Sequence, residues 1–101
     1  MTLFSIEGPQ TILDEEVPVE ATIVTDLPVE DLRIDFWIET AGGKFESFNS
    51  VDIEPTEANE VRTITTEFTP DEEGLYSIYA YLFDGARRLD RMIEQLKVVR
   101  P

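Results

Sequence analysis

The chain of 101 residues contains neither cysteine nor histidine. Without cysteine there is no disulfide framework, no thiolate nucleophile and no thiolate metal site. Without histidine the imidazole bases, the histidine metal ligands and the usual serine triads are excluded together. The two absences also remove structural zinc of the usual kinds, and no cofactor is implied. Lysine is scarce, with only Lys44 and Lys97. Lys and Arg total 8 against 22 Asp and Glu, for a net charge of −14. Such a charge repels nucleic acid and anionic membrane surfaces, so neither is an expected partner. No run approaches the ~20 apolar residues of a membrane-spanning helix. The opening Thr2-Leu-Phe-Ser-Ile6 has neither the basic nor the apolar region of a signal peptide. The compartment stays open: extracellular or cell surface for a fragment of a longer chain, cytoplasmic or virion otherwise.

What is present is an alternating pattern. At 42% hydrophobic residues the chain is too apolar for a disordered acidic tail, and its length suits one modest core, so residues 1–101 read as a single domain. Thr2 to Glu7 reads as a first strand, stopped by Gly8-Pro9. In "VPVEATIVT" (residues 17–25), Val17, Val19, Ala21 and Ile23 alternate with Pro18, Glu20 and Thr22, and Pro18 marks an edge or a bulge. "LRIDFWIET" (32–40) is the cleanest strand, with Leu32, Ile34, Phe36 and Ile38 on one face. Arg33, Asp35, Trp37 and Glu39 share the other. Ala41-Gly42-Gly43 turns the chain into "KFESF" (44–48), a short edge strand. "DIEPTEANE" (52–60) is loop-like, and "VRTITTEFT" (61–69) places Ile64 and Phe68 on one face. A strand at 75–83 follows, then the Asp84-Gly85 hairpin signal. The last segment carries Leu89, Met92, Ile93 and Leu96 at helical spacing, so residues 86–97 are either an amphipathic helix or a bulged strand. The short hairpin before it and the β-rich "LKVV" after it favour the strand.

About seven short strands with turns every eight to twelve residues make an all-β pattern, that of an immunoglobulin-like antiparallel β-sandwich. Glu72-x-Gly74-x-Tyr76-x-Ile78 resembles the motif that opens the sixth strand of immunoglobulin-like domains, with Glu72 in place of Asp and Ile78 in place of Cys. "TILDEEVPVEATIVTDLPVEDLRIDFWIE" looks like the second and third strands of the disulfide-free branch, which includes fibronectin type III and the adhesion-related repeats of bacteria and archaea. The resemblance implies that Tyr76 points inward with its hydroxyl bonded to backbone. Ile78, Ala80 and Leu82 then follow it inward, and Tyr79 and Tyr81 face outward.

In that family the strands carrying Trp37, Tyr79 and the final segment are neighbours. The resemblance therefore places Trp37, Tyr79, Tyr81 and Arg33 on one outer face, joined by Arg88 if the last strand has the matching register. Trp, Tyr and Arg are the residues enriched at binding hot spots, so these five are the candidate partner-binding residues. The competing reading is cross-strand packing, or burial under a loop or the first strand. The expected role is a non-catalytic structural or protein-interaction module of surface or adhesin type, binding a protein partner or itself. The alternatives are a small self-assembling virion or filament subunit and a calcium- or glycan-binding accessory domain. The acidic runs Asp14-Glu15-Glu16, Glu30-Asp31 and Asp71-Glu72-Glu73 leave calcium open, but their spacing does not match a calcium loop and suits solvated charge better.

Overall fold

The computed structural model describes residues 3–6 and 10–100, with side chains from residue 11 onward. Eight strands lie among the described residues: β1 (Leu3–Ile6), β2 (Gln10–Ile12), β3 (Val17–Ile23), β4 (Leu32–Glu39), β5 (Phe45–Ile53), β6 (Arg62–Phe68), β7 (Gly74–Asp84) and β8 (Arg87–Val99). One sheet has the order β1-β3-β6 and the other β2-β8-β7-β4-β5. Every pairing between the strands is antiparallel except that of β2 with β8. The architecture is the expected immunoglobulin-like antiparallel sandwich.

Alternation along the strands builds the core between the sheets. Val17, Val19, Ala21 and Ile23 of β3 are buried in one cluster with Leu32, Ile34, Phe36 and Ile38 of β4. Tyr76, Ile78, Ala80 and Leu82 of β7, with Leu96 and Val98 of β8, complete it. Each large apolar side chain removed from water in this way contributes about 1.5–3 kcal/mol. Across the sheets, the Asn49 amide of β5 donates to the Thr66 hydroxyl of β6 at 2.7 Å. Among the described residues no buried side-chain nitrogen or oxygen lacks a partner.

Three elements differ from the sequence expectations. A strand at Gln10–Ile12 was not anticipated; it runs parallel to the end of β8, with Ile12 opposite Val99. The edge strand after the Gly42-Gly43 turn extends to Ile53, past the expected limit at 48, because β4 supplies a partner as far as Leu32. Pro18 lies within the central strand of its sheet. On one side Pro18 stands opposite Glu67 of β6 in unbroken register, and on the other the described pairing with β1 reaches Val19, opposite Ile6. The ends of the first expected strand and its Gly8-Pro9 stop lie outside the described residues. The helical alternative for residues 86–97 is excluded, since β8 pairs with β7 along its length with one register shift beside Phe83.

The corner motif forms as expected. The Tyr76 hydroxyl donates to the Glu72 carbonyl at 2.7 Å and accepts from the Glu72 amide at 3.2 Å. Burial is the main cause that raises this phenol above its ordinary 10.0; the backbone bond from Glu72 opposes it, and the charges of Glu72 and Asp71 add to it. Gly74 enters β7 at φ 132°, and a Cβ there would stand 2.5 Å from the Ala41 Cβ. Gly74→Ala is therefore expected to cost about 1–3 kcal/mol from backbone strain alone. Adding Ala41→Gly should recover only the steric part, which denaturant melts of the two variants would separate.

On the outer side of the three-stranded sheet, Glu16 and Glu67 meet. The Glu67 charge is the first cause that raises the Glu16 carboxyl above its ordinary 4.5, and their shared hydrogen bond is the second. A carboxyl raised by folding keeps its proton longer in the folded state, so the folded state loses stability as pH rises through that window. Glu67→Gln should thus raise the melting temperature at pH 7. The gain should vanish as pH falls through the ordinary carboxylate range, as a pH series of thermal melts would show.

Candidate functional site

The five-stranded sheet turns one face to the core and leaves the other to solvent. In β4 the outward row is Arg33, Asp35, Trp37 and Glu39, the alternates of the buried Leu32, Ile34, Phe36 and Ile38. Pairing with β7 sets Arg33 opposite Phe83, Asp35 opposite Tyr81 and Trp37 opposite Tyr79. On the far side of β7, Tyr79 stands opposite Ile93, Tyr81 opposite Arg91 and Phe83 opposite Arg88. Directly opposed residues share a face. The structure therefore brings Trp37, Tyr79, Tyr81, Arg33 and Arg88 onto one face, and the register shift in β8 is what turns Arg88 onto it.

The rings form a continuous stripe. Tyr79 and Tyr81 stack with centroids 6.0 Å apart and planes 5° apart. The Arg33 guanidinium lies 4.8 Å from the Phe83 centroid, and that of Arg88 lies 6.0 Å from the Tyr81 centroid. Such contacts orient a guanidinium and leave its edges free to bond.

Phe45 is a member of the stripe that the sequence reading left out. It stacks on Trp37 at 5.0 Å and meets Tyr79 edge-on at 5.2 Å, yet it remains 46% exposed. Its signal was its odd spacing from Phe48, which puts the two on opposite sides of β5. Phe48 faces inward against Phe36 and Phe68.

One carboxylate sits among the rings. Asp35 accepts from Arg33 Nε at 3.1 Å and from the Ser50 hydroxyl at 2.6 Å, both on Oδ1. Together Asp35, Trp37, Phe45, Tyr81, Phe83 and Arg88 line an open depression of about 590 Å³. A second hollow of about 580 Å³ lies at one end of the sandwich, between the β3–β4 loop and the β7–β8 hairpin. Its lining mixes Leu27, Leu82 and Leu89 with Asp26, Asp84, Arg87 and Asp90. Among the described residues no three acidic side chains gather closely enough to hold a metal ion.

No protein-family model matches the sequence, and no curated protein matches it. Solved structures do. The CARDB domain of a Pyrococcus furiosus protein, crystallised in complex with di-metal ions, superposes with a TM-score of 0.73 at 18% identity, over 97% of this chain and 92% of that one. The C-terminal domain of wzt gives 0.81 at 15% identity, over 97% of this chain and 71% of that one. Pseudomonas fluorescens alkylpurine DNA glycosylase AlkC, bound to DNA containing an abasic site analogue, gives 0.70 at 15% identity; 93% of this chain matches 28% of that one. At these identities the likenesses establish the fold, an immunoglobulin-like β-sandwich.

Proposed function

We propose that the protein is a non-catalytic interaction module of surface or adhesin type, which binds another protein through the aromatic face of its five-stranded sheet. The observation that carries this reading is the stripe from Phe45 and Trp37 through Tyr79 and Tyr81 to Phe83, flanked by Arg33 and Arg88, on the side of the sheet away from the core. The core is complete without it, and contiguous apolar patches of this kind mark interaction sites on soluble proteins. Rigid rings lose little conformational entropy on binding, which makes them efficient anchors. A catalytic role has no support in the side chains: histidine and cysteine are absent, and Asp35, the carboxylate among the rings, is engaged by Arg33 and Ser50.

The test uses immobilised protein against an extract of the source cells. Retention of a specific protein should be lost in the Trp37→Ala/Tyr79→Ala double variant and kept in Thr65→Ala, which alters the exposed side of β6 on the opposite sheet. Equal retention by both variants would overturn the reading.

A further inference from the structure

Charge is distributed unevenly between the aromatic face and the rest of the molecule. The outward rows of β4, β5, β7 and β8 hold Arg33, Arg88, Arg91 and Lys97 against Asp35, Glu39 and Asp52. Half of the chain's 8 basic residues therefore share a face with three of its 22 acidic ones. Within the face the signs are segregated as well. The β8 row carries three of the cations, and the β4 and β5 rows carry all three carboxylates. The β7 row between them, from Leu75 to Phe83, has no charge. None of Arg88, Arg91 and Lys97 has a carboxylate within ion-pair distance among the described residues.

That pattern is complementary to itself. A two-fold axis parallel to β7, passing above Tyr79 and Tyr81, lays β7 of one copy over β7 of the other. It also lays β8 over β4, because these strands flank β7 on opposite sides. Residues at the same level then meet. Arg91 of one copy falls over Asp35 of the other, where Oδ1 is already occupied and Oδ2 remains for a further donor. Ile93, 43% exposed, falls over Trp37. The symmetry makes each of these contacts twice. Arg88 over Arg33 is the one like-charge meeting; it lies at the rim, where Asp52 stands opposite Arg33.

We propose, resting on the interaction-module reading, that the partner of this face is a second copy of the chain, docked face to face about this axis. A C2 interface of this kind is isologous, the commonest symmetry among soluble oligomers. With strands ~4.8 Å apart the footprint is on the order of 500 Å² per copy. That is the small end of specific interfaces, the class of weak and transient encounters, so the association is expected to depend on protein concentration. The net charge of −14 on each copy opposes the encounter, and 0.15 M salt screens it to a range of ~8 Å.

Sedimentation equilibrium from 10 μM to 1 mM in 0.15 M salt tests the proposal. The wild type should pass from monomer to dimer, while Arg91→Glu and Tyr79→Ala stay monomeric throughout and still unfold cooperatively on heating. Asp35→Lys should also be monomeric. An equimolar mixture of Asp35→Lys with Arg91→Glu should regain at least tenfold in association, because both crossed pairs are then restored. If Asp35→Lys fails to fold after losing Arg33 and Ser50, the other two variants decide alone. A wild type still monomeric at 1 mM overturns the proposal, as does a dimer indifferent to Arg91→Glu and Tyr79→Ala. A monomeric wild type that still retains a different protein through Trp37 and Tyr79 would sink the second copy and leave the interaction module standing. Failure of both measurements would remove both.

Discussion

Tyr76→Phe is expected to lower the unfolding free energy by about 1–3 kcal/mol, although it removes a single oxygen atom. The hydroxyl both donates to the Glu72 carbonyl and accepts from the Glu72 amide, so two hydrogen bonds of ~0.5–1.5 kcal/mol each are lost. For a domain of this size the melting temperature should fall by roughly 4–8 °C for each kcal/mol lost. Tyr81→Phe, on the solvent face, should change it by less than 2 °C, about the scale of a neutral surface substitution. The alkaline limb offers a second readout. A phenol raised above 10.0 by folding supports the folded state below that pH and withdraws the support as pH rises beyond it. The wild type should therefore lose stability steeply above pH ~10, and Tyr76→Phe should show a shallower decline from its lower starting point.

Phe36→Ala is expected to cost about 3–5 kcal/mol, a large share of the 5–15 kcal/mol that holds a domain of this size together. Phe36 is fully buried and belongs to an inner chain of rings across the sandwich. It meets Phe48 at 6.0 Å, Phe48 meets Phe68 at 5.5 Å, and Phe68 meets Tyr76 at 5.6 Å, joining β4, β5, β6 and β7. Deleting the first ring leaves a cavity bounded by both sheets, which a strand-rich frame relaxes into only partly. Phe45→Ala should cost less than about 1 kcal/mol, since that ring stacks on a face and does not fill a core. Denaturant unfolding of the two variants separates the inner aromatic chain from the outer one.

Legibility in the sequence followed the range of the interactions. The inward row of β4 was plain because Leu32, Ile34, Phe36 and Ile38 alternate without interruption and local pattern alone sets their side. Tyr76 was plain because the corner depends on three residues within one turn, Glu72, Gly74 and Tyr76. The outer face followed from those two registers once the family resemblance made their strands neighbours. Gln10–Ile12 stayed hidden because three residues carry no period, and their strand exists only through its parallel alignment with the other end of the chain. The final segment was ambiguous for a physical reason. Met92 packs against the core, Leu96 is buried and Ile93 lies outside, so apolar residues on both faces imitate helical spacing. The register shift near Leu89 adds one more residue to the imitation. Phe45 was missed because its odd spacing from Phe48 separates the two rings without saying which is the outer one, and that is set by the pairing of β5 with β4.

Trp37, the chain's single tryptophan, reports directly on whether the aromatic face is a contact surface. Acrylamide quenching of Trp37 should be measured in dilute free protein, and again in the complex the protein forms with itself at high concentration or with a purified partner. Quenching should fall at least twofold in the complex, with a blue-shifted emission, as the depression lined by Trp37, Phe45 and Tyr81 is covered. A complex seen by light scattering that leaves Trp37 quenching and emission unchanged would contradict it.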